Sequence, residues 1–126
     1  MNALKLLYVD DDPDIRTIVE MALALDPAID ARTVKSGSEA IALLSSSDWR
    51  PDVFVLDVMM PDMDGLATLR ALRALPGMGA TPALFMTAKA READIAGYRD
   101  QGAAGVILKP FDPLLLATEI RTLIAW

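Results

Sequence analysis

The chain has 126 residues, a length that suits one domain with a single core, and its 53% hydrophobic content excludes an intrinsically disordered protein. It contains no cysteine and no histidine, which excludes disulfides, thiolate catalysis, zinc–thiolate sites and a phosphohistidine of its own. With a formal net charge of -6 and no basic stripe to neutralise phosphates, this domain is not expected to bind nucleic acid.

Apolar runs alternate with segments of helical periodicity along the chain. In chain order the pattern predicts a strand over 4–9, a helix over 13–25, a strand over 30–34, a helix over 36–47, a strand over 52–58, a helix over 65–75, a strand over 83–87, a helix near 89–101, a strand over 104–108 and a helix over 112–125. This alternation predicts one α/β domain over residues 1–126, with five βα units, a parallel sheet and helices on both faces.

The sequence also predicts where the protein resides. No apolar run approaches the roughly 20 residues that span a bilayer. The apolar run near the N-terminus is short and ends in acidic residues, with no small-residue cleavage site of the secretory kind. We therefore expect a soluble cytoplasmic protein that makes no contact with a membrane.

Polar residues follow four of the predicted strands at their carboxyl ends. The first strand is followed by Asp10 and Asp11, while Asp57, Thr87 and Lys109 lie at the ends of the third, fourth and fifth. In an open parallel sheet the active crevice lies outside this edge, so these side chains can meet. Carboxylates this close repel one another unless a positive charge lies among them. The pattern indicates either a solvated turn or a functional site.

Each polar residue also fits an ordinary structural role when it is considered alone. Asp12, which precedes a proline, has the pattern of a helix N-cap, and Asp64 is expected to begin the third helix. Asp57 could start a loop, because the segment after it is rich in turn formers. Thr87 could cap the fourth helix, and Lys109 could be a solvated strand end. All of these roles would have to hold together to exclude a site.

Four segments resemble the motifs of the CheY-like receiver domain of bacterial two-component response regulators. They are "YVDDDPDIR", "VFVLDVMMPDMDG", "FMTAKA" and "GAAGVILKPFD". The resemblance covers the whole chain in order. The combination is specific, although each motif alone is weak. It implies a flavodoxin-like five-stranded sheet of order 2-1-3-4-5. It also implies a phosphorylation-dependent switch that acts by binding and is not an enzyme.

The resemblance assigns Asp57 as the phosphoacceptor. A carboxylate can attack a phosphoryl group and form an acyl phosphate, provided that the incoming negative charge is neutralised. Mg²⁺ would do so as a cofactor held near Asp57, with Asp11 as a direct ligand. Asp10 would act more remotely, through a water, and Met59 would offer its backbone carbonyl.

Two further residues would recognise the phosphoryl group. Lys109 would bring a positive charge to the phosphoryl oxygens, and Thr87 would donate a hydroxyl hydrogen bond. The resemblance also implies a cis peptide bond between Lys109 and Pro110. The chain departs from the family at Val106, where many members carry Tyr or Phe, so the aromatic part of the usual switch is not expected here.

The resemblance implies a sensor histidine kinase or a histidine phosphotransfer protein as phosphoryl donor, and a downstream protein target bound by helix four, strand five and helix five. Two alternatives stay open. A haloacid-dehalogenase-like phosphohydrolase also uses an Asp nucleophile and Mg²⁺, but Asp14 stands where its Asp-x-Asp-x-Thr motif requires threonine, and no cap domain is predicted. A pseudo-receiver could serve as an unphosphorylated scaffold, although it would not need Asp11, Asp57, Thr87 and Lys109.

Overall fold

A computed structural model of the protein describes residues 3–89 and 91–126. The strands are β1 (Leu4–Val9), β2 (Ile29–Val34), β3 (Val53–Asp57), β4 (Ala83–Thr87) and β5 (Gly105–Leu108). The helices are α1 (Pro13–Ala24), α2 (Gly37–Ser45), α3 (Gly65–Arg73), α4 (Glu92–Asp100) and α5 (Leu116–Ile124). Within the described ranges, none of the helices has the length and apolarity needed to cross a membrane.

All five strands pair in parallel, in the order β2-β1-β3-β4-β5, which confirms the predicted class and strand order. The register aligns the carboxyl ends of the central strands. Val9 pairs with Leu56, so the next residues, Asp10 and Asp57, follow at the same level. The sheet thus presents its polar strand ends along one edge.

Helices cover both faces of the sheet, because each strand sends alternate side chains to opposite sides. In β3, Phe54 and Leu56 pack with α2, α3 and α4 in one buried cluster. Val53 and Val55 pack with α1 and α5 in the other. Burial on both faces explains why β3 is an unbroken apolar run until it reaches the carboxylate at its end.

Two helices begin later than the sequence pattern predicted. The last helix begins at Leu116 and not at 112, because Asp112 closes a turn: its carboxylate accepts a hydrogen bond from Leu114 N at 2.9 Å. The fourth helix begins at Glu92 and not near 89. Ala90, inside the predicted helix, lies outside the described residues. The other boundaries agree to within two residues.

Two aspartates fix the helix starts nearest the carboxyl edge of the sheet. Asp12 caps α1 by accepting hydrogen bonds from two backbone N–H groups of its first turn, and Asp64 caps α3 by accepting one, from Ala67 N; both roles were predicted. Gly65 begins α3 so close to β3 that a Cβ atom there would lie 2.5 Å from the carbonyl oxygen of Asp57. Only glycine permits this approach, and it holds α3 directly against the strand that ends in Asp57.

Candidate functional site

A cleft of about 300 Å³ opens at the carboxyl edge of the sheet. It is lined by Asp10, Asp11, Asp12, Asp57, Met59, Thr87, Ala88 and Lys109. The structure therefore brings together every residue that the sequence proposed for a site. The additional lining residues are Asp12, which caps α1, and Ala88, whose small side chain leaves room next to Thr87.

Three carboxylates meet in this cleft. Oxygen atoms of Asp10, Asp11 and Asp57 all lie within 4.8 Å of one another. Asp10 is fully buried and Asp57 is 5% exposed, whereas Asp11 is exposed. Hard divalent cations such as Mg²⁺ bind through a few carboxylate and carbonyl oxygens and keep several waters, so this donor set fits such an ion. Met59 also lines the cleft, and because its side chain contains no oxygen, only its backbone carbonyl could bind a hard cation.

Lys109 provides the positive charge among these carboxylates. Its Nζ atom lies 3.0 Å from Asp57 Oδ1 and 3.5 Å from Asp10 Oδ2. Burial acts to lower the pKa of Lys109, but its hydrogen bond to Asp57 and the charges of both carboxylates outweigh this and raise it. The lysine therefore stays charged, and its alternative role as a solvated strand end is wrong. The peptide bond between Lys109 and Pro110 is cis, as the resemblance implied.

The pKa of Asp57 is raised from 3.8 to about 6, chiefly because burial disfavours the charged carboxylate. Lys109 acts in the opposite direction, and the negative charge of Asp10 adds to the rise. Lys109 therefore neutralises the negative charge of the Asp57 carboxylate only in part. A site of this kind favours an additional positive charge.

Thr87 lies at the end of β4 and is only 3% exposed. Its Oγ1 atom accepts a hydrogen bond from Lys89 N at 3.0 Å, while the N-cap residue of α4 is Arg91. The alternative that Thr87 caps the fourth helix is therefore wrong. Because a hydroxyl both accepts and donates, its proton is left for a group in the cleft.

One residue of the site escaped the sequence analysis. Tyr8, in β1, donates its hydroxyl proton to Asp10 Oδ2 at 2.6 Å. Burial and this hydrogen bond raise the pKa of Tyr8 far above its ordinary value, so the hydroxyl remains a donor. The available signal was strand periodicity, which places residues two apart on the same face. Tyr8 was missed because it lies within the apolar run of β1, where an aromatic residue is expected to pack in the core.

Asp57 should make stability depend on pH in metal-free buffer. Between about 4 and about 6 the folded chain retains the Asp57 proton that the unfolded chain releases, so the free energy of unfolding should fall as pH rises. Asp57→Asn should remove this dependence and stabilise the fold at neutral pH by up to about 3 kcal/mol. Urea denaturation of both proteins across this range measures the difference. Identical pH profiles would contradict the raised pKa.

Comparison with known proteins gives consistent matches over nearly the whole chain. Residues 6–121 match the family model described as the response regulator receiver domain. The transcriptional regulatory protein TrcR of Mycobacterium tuberculosis is 37% identical over 121 residues, which cover 96% of this chain and 45% of that protein. The DNA-binding response regulator MtrA of Mycolicibacterium smegmatis is 32% identical over 117 residues, covering 93% and 49%. The chain thus spans about half the length of these curated relatives.

Solved structures agree with these matches. The chemotaxis protein CheY4 of Vibrio cholerae has a TM-score of 0.86 and 31% sequence identity, covering 98% of this chain and 99% of that one. A receiver domain from a signal transduction histidine kinase of Syntrophus aciditrophicus has a TM-score of 0.80 and 30% identity. This second match covers 98% of this chain and 91% of that one.

Proposed function

Since the chain belongs to the family of response regulator receiver domains, we propose that residues 1–126 form a phosphorylation-dependent signalling switch in which Asp57 accepts a phosphoryl group from a partner. One observation carries this proposal. Asp57 lies in a cleft with a lysine amino group 3.0 Å from one of its oxygens and two further carboxylates close by. In this proposal the domain binds its partner in response to phosphorylation and does not turn over a substrate continuously.

The donor histidine lies outside these 126 residues, because they contain no histidine. A carboxylate oxygen of Asp57 forms a bond to phosphorus while the bond from phosphorus to the partner's histidine nitrogen breaks. That nitrogen keeps the electron pair of the broken bond. In this proposal Lys109 neutralises the added charge on the phosphoryl oxygens, and Thr87 donates its hydroxyl proton to one of them. Incubation with acetyl phosphate and Mg²⁺, followed by intact mass measurement, tests this acceptance.

The metal part of the proposal assigns Mg²⁺ to Asp11, Asp57 and the Met59 carbonyl, with Asp10 acting more remotely through a water. When bound, the ion neutralises negative charge on the carboxylates and on the incoming phosphoryl oxygens. The remote role of Asp10 is supported by its hydrogen bonds, since its oxygens already accept from protein donors. Asp11 is exposed and free to bind an ion from solvent.

Mg²⁺ should stabilise the folded protein by mass action. At about 100 times its dissociation constant, an ion that binds only the folded state adds about 2.7 kcal/mol. Asp11→Ala should remove this response, because it deletes the direct ligand. Thermal melting with and without Mg²⁺ measures it.

Asp14→Ala is the matched control, since it removes the same charge from an exposed residue of α1 that does not line the cleft. It should keep the Mg²⁺ response of the wild type. Equal responses from Asp11→Ala and the wild type would remove Asp11 from the site.

The proposed partners follow from the family and from the surface. We assign a sensor histidine kinase or a histidine phosphotransfer protein as donor, and a downstream protein target to the face of α4, β5 and α5. A groove of about 380 Å³ between β5 and α5 supports the second assignment. Leu108 and Leu115 line it and are 49% and 59% exposed. A cytoplasmic location and the lack of nucleic-acid binding by this domain also remain predictions, and the net charge of -6 supports the latter.

The matches give no support to a haloacid-dehalogenase-like phosphohydrolase or to an unphosphorylated scaffold. The hydrolase would release phosphate steadily from varied monoesters, whereas the switch should retain one phosphoryl group per chain. A scaffold should gain no mass under the same conditions. The acetyl phosphate experiment therefore separates all three functions.

A further inference from the structure

Tyr8 is a fully buried residue of β1 whose hydroxyl contacts Asp10, a residue that lines the cleft. Its hydroxyl oxygen lies 2.6 Å from Asp10 Oδ2 and 3.4 Å from Met86 Sδ. A hydroxyl has one proton to donate, and the much shorter distance assigns it to the carboxylate. Met86 occupies another side of the hydroxyl, so Tyr8 and Asp10 are in direct contact within the core.

The hydrogen bonds of Asp10 account for most of its accepting capacity. A carboxylate offers about four lone pairs. Oδ1 accepts from the backbone N–H of Asp12 at 2.9 Å, and Oδ2 accepts from Tyr8 and lies 3.5 Å from Lys109 Nζ. This leaves about one lone pair for anything else in the cleft. Because Asp10 is completely buried, its orientation depends on these protein donors and not on bulk water.

We propose that Tyr8 is a positioning residue of the acidic site, whose hydroxyl fixes Asp10 Oδ2 and limits its contact with Lys109 Nζ to 3.5 Å, so that Asp10 keeps an accepting lone pair for the shell of a divalent cation. The inference rests on the proposed Mg²⁺ site and adds a residue to it. Tyr8 does not touch the reacting atoms. It acts through Asp10.

Loss of the hydroxyl should redirect Asp10. Its Oδ2 atom would lose its shortest hydrogen bond, and the remaining donor within reach is Lys109. A buried carboxylate oxygen that loses its donor is costly, so Asp10 Oδ2 should move closer to the lysine and draw Nζ away from Asp57. Both changes weaken the site for a cation. Removal of a hydrogen-bonding partner behind a metal site typically lowers metal affinity by about 10–100-fold.

The test uses Mg²⁺ alone and the two tyrosines of the chain. Tyr8→Phe keeps the aromatic ring in the core and removes only the hydroxyl, so packing is preserved. Tyr98→Phe is the matched control, because Tyr98 lies in α4, packs on Phe85 at a ring-centroid distance of 5.4 Å and does not line the cleft. Titration calorimetry should give a Mg²⁺ dissociation constant at least about 10-fold higher for Tyr8→Phe and unchanged for Tyr98→Phe.

A second measurement does not depend on the folding of Tyr8→Phe. In the Tyr98→Phe protein, Tyr8 is the only tyrosine. The near-ultraviolet difference spectrum on addition of Mg²⁺ should contain a tyrosine signal, because the ion alters the charge that Tyr8 contacts. The tryptophans, Trp49 and Trp126, do not line the cleft. A spectrum with no tyrosine change would overturn the inference.

The outcomes separate this inference from the proposed function. Wild-type affinity, or tighter binding, in a Tyr8→Phe protein that unfolds cooperatively would overturn the role of Tyr8 alone. A wild-type protein that binds no Mg²⁺ would overturn the metal site and this inference together. Mg²⁺ binding that depends on Tyr8, in a chain that gains no phosphoryl group from acetyl phosphate, would contradict the switch and support the positioning role.

Discussion

Asp57→Asn should abolish phosphorylation of the chain by acetyl phosphate and Mg²⁺. An uncharged amide has no carboxylate oxygen with which to attack phosphorus, so no acyl phosphate can form at this position. The fold should persist, because asparagine has nearly the same shape as aspartate. The substitution also removes a carboxylate whose charged form is disfavoured by burial, as its raised pKa indicates. Intact mass measurement of the variant should show only the unmodified protein.

Asp62→Asn is the matched control for this experiment. Asp62 is an exposed residue of the loop that follows β3, and its φ of 66° is one that asparagine tolerates well. The substitution removes the same charge a few residues from Asp57 without touching the cleft. It should be phosphorylated like the wild type. A gain of the same mass by Asp57→Asn would exclude Asp57 as the acceptor.

Thr87→Ala should remove most of the effect of phosphorylation on partner binding, whereas Val106→Ala should leave it largely intact. The Thr87 hydroxyl is linked to the turn before α4 by the hydrogen bond that it accepts from Lys89 N at 3.0 Å. A phosphoryl group on Asp57 that attracts this hydroxyl would therefore move Ala88 and the start of the segment leading to α4. Coupling between such sites is typically about 1–3 kcal/mol, which corresponds to roughly 5–150-fold in affinity.

Val106 should affect stability instead. It is a half-buried β-branched residue of β5 that pairs with Phe85, and it has no polar group with which to report a change in its surroundings. Val106→Ala should lose about 0.8 kcal/mol per buried methylene-sized group plus a cavity contribution. Urea denaturation measures this loss.

Partner affinity with and without a beryllofluoride phosphoryl mimic provides the comparison of the two variants. If Val106→Ala erased the difference in a protein that still folds and loads, or if Thr87→Ala preserved it, the switch would not act through the backbone that follows β4.

The fold was predictable because strands buried on both faces leave continuous apolar runs, and helices between them leave a different period. The site was predictable for the same reason, since parallel strands bring Asp10, Asp57, Thr87 and Lys109 to one edge. Helix starts were less predictable. Asp112 has the pattern of an N-cap, yet it closes a turn ahead of α5, because a short side chain hydrogen-bonds equally well in either local structure.

The hydrogen bonds behind the cleft could not be predicted from the sequence. Tyr8 lies within an apolar run, and aromatic residues in buried strands usually serve packing. Strand periodicity places Tyr8 and Asp10 on the same face, but the hydrogen bond between them depends on side-chain positions that only the folded chain defines. The sequence likewise does not define the distances from Lys109 Nζ to Asp57 and to Asp10, which depend on the folded chain.

The most direct test of the account is to locate the phosphoryl group on the wild-type chain. The protein would be incubated with acetyl phosphate and Mg²⁺, the acyl phosphate reduced with borohydride, and the modified residue identified by peptide mass spectrometry. The account predicts one modified residue per chain, Asp57. Modification of a different residue, or steady release of phosphate with no acyl phosphate on Asp57, would contradict it.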